Sequence, residues 1–276
     1  MSQLPAIAVC KHQRSPQAVL AAIKIGESLI HADLYQIDLS GFDLQNSNFS
    51  KASLIRANLS QANLTAADLS NADLRGADLR KTNLRQANLQ DACMYRADLS
   101  GADLSNANLI DAKLKGARYD SQTIFPEGFI YKSSGAIGPR ANLNGEPLNT
   151  ANLRNADLQE VNLLGAYLGG ADLTGANLRG ARLAQADLRR CFLTGAFLRN
   201  ARMNGANLAG ADLRAADMTG VDFEKFESIA GADFSQVQGL TDAMRSRLLS
   251  QPQQELETLN SLTLKTTLAS LSCNVL

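Results

Sequence analysis

The sequence predicts an all-β solenoid, on three observations. From Ala32 to Asp120 the chain divides into fives, ADLYQ, IDLSG, FDLQN, SNFSK, ASLIR and so on. Each quintet holds a large apolar residue at its centre, position i, and most hold a small one at i−2. The centres run Leu34, Leu39, Leu44, Phe49, Leu54 and every fifth residue to Met94, Leu99 and Tyr119, eighteen quintets in all. A second run of seventeen starts at Ala141 in another phase, with centres Leu143, Leu148 and Leu153 through Met203, Leu213, Met218 and Phe223. A repeat this regular decides the architecture before any local propensity is weighed.

The period excludes the two simplest alternatives. Steps of five at 3.6 residues per turn scatter the leucines around a helix and leave no apolar stripe. In a flat strand i−2 and i share a side, but the next small residue, at i+3, faces the other way. Both stay inward only if the chain turns a corner in every quintet. Repeated corners wind it into stacked coils at strand spacing, about 4.8 Å. Leucines then fill the axis, alanines sit at the corners, and i−1, i+1 and i+2 face water.

Physical reasoning leaves the number of corners per coil open. Tandem A-(D/N)-L-x-x resembles the pentapeptide-repeat family across most of residues 32–239. That resemblance implies a right-handed, quadrilateral (four-sided) β-helix, twenty residues per coil, to which the flanking residues add short helical caps at both termini. With the TIFPEGF string at 123–129 it also implies a cyanobacterial source. One such relative influences heterocyst differentiation through protein contacts, and other members mimic DNA and occupy topoisomerases. The repeat itself encodes a fold and no activity.

Along the chain, residues 1–31 read as an N-terminal cap. Ser15-Pro16 starts a helix with proline at its first position, Ala18, Ala21, Ala22 and Ile25 give its apolar face, and Gly26 stops it. The PAIAVC segment is too short for a signal peptide and its basic residues, Lys11 and Arg14, lie after it. With no apolar run of membrane-spanning length, a soluble cytoplasmic protein is expected. Residues 32–120 form the first repeat block and 121–140 an interruption, read as a loop bulging from one side. Residues 141–239 form the second block, closing on a quintet centred on Phe234. Residues 240–250 make a C-terminal cap helix with Thr241 as N-cap and Leu240, Met244 and Leu248 on one face. The tail, 251–276, either frays or forms a weak amphipathic helix that docks on a partner or a second copy. A homodimer through the terminal cap or tail follows from the second alternative.

Catalysis is not expected. A filled axis and flat walls offer no concave pocket with converging polar groups. The histidines, His12 and His31, and the cysteines, Cys10, Cys93, Cys191 and Cys273, lack metal or redox spacing, so no cofactor or metal is expected. Asp33, Asp73, Asp78, Asp98 and Asp103 occupy i−1, where Asn58, Asn63 and Asn83 stand elsewhere. That interchange points to hydrogen bonding or solvation, not proton transfer.

Function is then sought on the surface, as a protein-interaction scaffold. Every basic residue from Arg140 to Arg214 is arginine. At twenty residues per coil, Arg179 lies under Arg199 and Arg182 under Arg202. Phe192 and Phe197 stand at outward i−1 positions close by. These six residues are the candidate partner-binding surface, arginine forks suiting anions and aromatic rings suiting apolar anchors. The formal net charge is +0, which opposes a nucleic-acid binder. It equally opposes a DNA mimic, since the first run carries eleven acidic and ten basic side chains and the second eight of each. The purified protein is therefore expected to leave gyrase supercoiling unchanged. Potent inhibition or protection in that assay would reinstate mimicry.

Overall fold

The computed structural model describes residues 15–272. Cys10, Lys11, His12, Arg14, the PAIAVC segment and Cys273 lie outside them. The chain divides into two compact units, one reaching Arg118 and taking in Gln122–Ile130, the other comprising Tyr119–Ser121 and all from Tyr131 onward.

Both units are wound by one rule. Parallel bridges join i−1 residues twenty apart: Asp33, Ser53, Asp73, Cys93 and Lys113 in one column, Asp38, Asn58, Asp78, Asp98 and Arg118 in the next. Four such columns complete a coil. Between coils the Leu34 amide donates to the Ser53 carbonyl at 2.8 Å, the Ser53 amide to Ala32 at 2.9 Å, and the Gln36 amide to Ile55 at 2.9 Å. Within each quintet the chain then turns, as where the Ile37 amide donates back to Leu34 at 3.2 Å. The third residue of this turn, i+2, is left-handed in nearly every quintet, Ser121 and Lys225 excepted, for example Gln36 at φ 56°, Lys51 at 59° and Gly41 at 69°. The corner therefore sits at i+1 and i+2, and the alanines are not the corner residues. Ala52, Ala57 and Ala72 lie on the walls, facing inward and at most 1% exposed. A β-turn of this kind demands positive φ at its third residue, and an inward i−2 side chain has no part in it.

Centres from Leu34 to Leu104 are 0% exposed, each burial contributing about 1.5–3 kcal/mol. Polar residues at the inward i−2 position find a backbone acceptor. The Thr82 hydroxyl donates to Leu59 at 2.8 Å and the Cys191 thiol to Leu168 at 2.9 Å. Substitution of alanine there thus leaves no orphan donor.

The first unit begins with α1 (Pro16–Lys24), capped by Ser15, whose hydroxyl accepts from the Ala18 amide at 3.2 Å. Its buried residues are Val19 and Ala22, whereas Ala18, Ala21 and Ile25 are exposed. The inward face is thus rotated from the one expected, because the bulkier Val19 takes the core contact. The repeat also begins one quintet earlier than expected. Leu29 is 1% exposed, its amide donates to Asn48 at 2.9 Å, and His31 takes the left-handed i+2 conformation at φ 58°.

The interruption is shorter than residues 121–140. In the first unit Ile124 joins the column after Asp103, one residue late, and the Leu104 amide donates to it at 2.8 Å. In the second unit Ala136–Arg140 is itself a quintet, with Arg140 left-handed at φ 62° and donating to Gln159 at 2.7 Å. Its centre is Gly138, where a side chain would meet the Tyr119 carbonyl oxygen at 2.6 Å and the Tyr119 ring at 2.7 Å. The buried Tyr119 ring supplies the missing core volume, its hydroxyl donating to Pro139 at 2.8 Å.

A second one-residue slip follows Phe223. It is absorbed by Phe226, stacked on Phe223 at 4.4 Å, after which Ser228, Asp233 and Gln238 rejoin their columns. Then come α2 (Asp242–Leu249), with Thr241 accepting from Met244 at 3.2 Å, α3 (Gln253–Leu256) and α4 (Thr267–Ser272). Up to Ser272 the tail does not fray; it closes the last coil. Glu255 accepts from the Ile229 amide at 2.9 Å, Ser270 from Phe234 at 3.0 Å, and Thr267 donates to Ile229 at 3.0 Å. Asn260 donates to Gly231 at 2.7 Å. These side chains occupy the open backbone edge that a further coil would otherwise pair with. Leu256 and Leu271 are buried, while Leu259, Leu262, Leu264 and Leu268 face outward.

Because Leu178 is 0% exposed, Leu178→Asp should cost upwards of about 3 kcal/mol by placing an unpaired carboxylate on the axis. Unchanged thermal melting of that variant would remove the inward assignment.

Candidate interaction surface

Outward chemistry begins with what i−1 does for the backbone. The i+1 amide is not used between coils, and an i−1 carboxylate or carboxamide accepts it. Ser40 donates to Asp38 at 3.0 Å, Ser60 to Asn58 at 3.1 Å, Thr174 to Asp172 at 3.0 Å and Thr219 to Asp217 at 3.1 Å. Asp and Asn interchange because only their acceptor oxygen is needed.

The i−1 carboxylates also neutralise the i+1 arginines, in two geometries. Arg75, Arg80, Arg189 and Arg214 reach back two residues to Asp73, Asp78, Asp187 and Asp212, at 2.5–2.8 Å. Arg85, Arg154 and Arg199 reach eighteen residues on, to Asp103, Asp172 and Asp217. Burial opposes ionisation of Asp103, Asp172 and Asp217, but their hydrogen bonds and arginine partners outweigh it and hold all three below the ordinary carboxylate value.

The six residues singled out in the sequence separate on this frame. Arg182 and Arg202 are paired across a parallel bridge, in register on one wall. Arg179 stands at the corner just before that wall, its guanidinium carbon 5.7 Å from the centroid of the Phe197 ring. Arg199 is tied to Asp217 at 2.5 Å and is not available. Phe192 belongs to the column Asp172–Phe192–Asp212. Columns follow every five residues, so Phe192 lies two walls, half a coil, from Arg182. It is framed there by the Arg154–Asp172 and Arg214–Asp212 pairs. Counting twenty-residue stacks brings Arg179, Arg182, Arg202 and Phe197 together; sequence proximity alone had added Phe192.

Tyr167, outside that set of six, stands at i−1 before Leu168 and is 54% exposed, more than Phe192 at 37% or Phe197 at 42%. Its signal was the same as theirs, an aromatic residue in the Asp/Asn position.

The described cysteines are free thiols. Burial pushes Cys191 up to about 12, so it is neither a nucleophile nor a thiolate ligand near neutral pH. Among the described residues no helix is long and apolar enough to cross a membrane.

A family model described as "Pentapeptide repeats" matches residues 28–65, 62–101, 82–118, 151–190 and 181–220. Among solved structures the chain is similar to HetL, a pentapeptide repeat protein involved in heterocyst differentiation regulation from the cyanobacterium Nostoc sp. strain PCC 7120. Identity is 30%, covering 82% of this chain and 98% of that one, with a TM-score of 0.39. It is also similar to alr5209, a pentapeptide repeat protein from Nostoc PCC 7120, at 34% identity over 46% of this chain and 98% of that one, TM-score 0.36. No curated protein matches the chain.

Carboxylates held below their unfolded value contribute stability that is complete above that value, about 3.9, and lost as pH falls through the lower folded value. Urea unfolding should therefore be level above about pH 5 and weaken below about pH 4. Asp217→Asn should flatten the acid limb, and an identical acid limb in that variant would discount the Arg199–Asp217 pair.

Proposed function

This chain belongs to the pentapeptide-repeat family, and on that premise we propose that it is a non-catalytic protein-interaction scaffold. In this reading the twenty-residue coils are those of a right-handed quadrilateral β-helix closed by short helical caps, working in the cytoplasm. One observation carries the proposal. Tyr167, Phe192 and Phe197 stand exposed at i−1, where Asp or Asn would accept an i+1 amide. At these three positions the fold forgoes that acceptor and leaves between 37% and 54% of the aromatic residue exposed. Aromatic residues on a stiff backbone lose little entropy on binding and are frequent interface anchors. Self-association through the C-terminal end is a further use of the same principle, with Leu259, Leu262 and Leu264 exposed there.

The test is a pull-down from the source organism, with bound proteins identified by mass spectrometry. The double variant Phe192→Ser, Phe197→Asn should keep its melting temperature, since both new residues are ordinary at i−1, and should lose partners that the parent retains. Equal recovery of the same partners by both proteins would set these rings aside.

A further inference from the structure

Of the eight arginines at i+1, seven hold an i−1 carboxylate, two residues back or eighteen ahead, and Arg179 does not. Its two candidate positions are Asn177 and Phe197. The Phe197 ring occupies the place that Asp217 takes for Arg199, one coil on. Arg179 keeps the forward-reaching posture and lies over the ring, so its position is fixed while its charge stays uncompensated.

Around the corner, Arg182 and Arg202 face one another across a parallel bridge, at strand spacing of about 4.8 Å. Like charges directly opposite in a sheet are destabilising. Both side chains are exposed, and neither forms an ion pair among the described residues. Elsewhere this chain neutralises its i+1 arginines with regularity; here three neighbouring arginines, one at a corner and two on a wall, are left open beside an exposed ring.

We propose that Arg179, Arg182 and Arg202, with Phe197, form a docking site for an acidic segment of a protein partner. The segment carries at least two carboxylates and one apolar side chain. Guanidinium forks match carboxylates in pairs, and the ring accepts the apolar residue. A protein segment is favoured over nucleic acid by what frames the site. Asp217 follows Phe197 and Asp222 follows Arg202 in their columns, so a continuous polyanion would run onto carboxylates within one coil. A short acidic stretch ends before them.

This site rests on the scaffold reading, yet it fails separately. Fluorescence anisotropy with the purified full-length chain would use three probes: a labelled octapeptide of alternating Glu and Leu, its Gln–Leu counterpart, and a single-stranded oligothymidine of equal charge. The Glu–Leu peptide should bind, weakening as salt rises, while the Gln–Leu peptide and the oligothymidine should bind about tenfold less tightly or not at all. Arg182→Gln with Arg202→Gln should weaken the Glu–Leu peptide about tenfold without lowering the melting temperature. Phe197→Asp is the sharper variant, because it supplies Arg179 with the carboxylate that Arg199 has in Asp217. It should abolish peptide binding while leaving the fold at least as stable. Parental binding by Phe197→Asp, or equal binding of oligothymidine and peptide, would overturn the site. A site lost in this way, with partners still captured in the pull-down, would leave the scaffold reading standing.

Discussion

The turn that closes each quintet is the constraint on which the rest depends. A carbonyl at i accepts from the amide at i+3, and the residue between them at i+2 must be left-handed. Glycine meets that demand freely, and asparagine or aspartate at modest cost. Thr150, at φ 55°, does so against the preference of a β-branched side chain. The strain is distributed and held by the coil-to-coil hydrogen bonds on either side of every corner. Once the turn recurs at intervals of five, the large residue and the small one both point to the axis, and the core is settled.

The same geometry divides labour on the outside. Between-coil bonds use the amides at i−1, i and i+2 and leave that of i+1, so i−1 gains a structural task that an oxygen acceptor performs. Seven of the i−1 aspartates also meet the arginines reaching from i+1. Departures from this pattern stand out against a repetitive background. Cys191 and Thr82 depart inward and are satisfied by backbone carbonyls, which makes them structural. Phe197, which Arg179 overlies, Tyr167 and the Arg182–Arg202 pair depart outward and stay exposed, which makes them candidates for recognition.

The ends and slips obey the same backbone accounting. A coil edge is a row of unpaired amides and carbonyls, and the C-terminal segment meets it with Glu255, Asn260, Thr267 and Ser270 instead of another strand. At the interruption, a glycine at a centre position and a tyrosine reaching over it exchange roles, so the core of the second unit is filled there.

By itself the sequence determined the period, the inward and outward positions, and the absence of a helical alternative, because these follow from side-chain alternation and the length of the repeat. It also showed which residues share a column once twenty residues per coil is granted. Only the tertiary structure decided that corners lie at i+1 and i+2, since φ at a polar surface residue leaves no hydrophobic trace. It decided that Leu29 and Gly138 are centres, because Tyr119 fills the volume Gly138 lacks and no local pattern records such a contact. It decided that the tail from 251 to Ser272 closes the last coil, where polar side chains read as loop in sequence are the acceptors and donors of an edge. And it separated Phe192 from Arg182, since ten residues along the chain are half a coil around the axis, a distance that adjacency in sequence conceals.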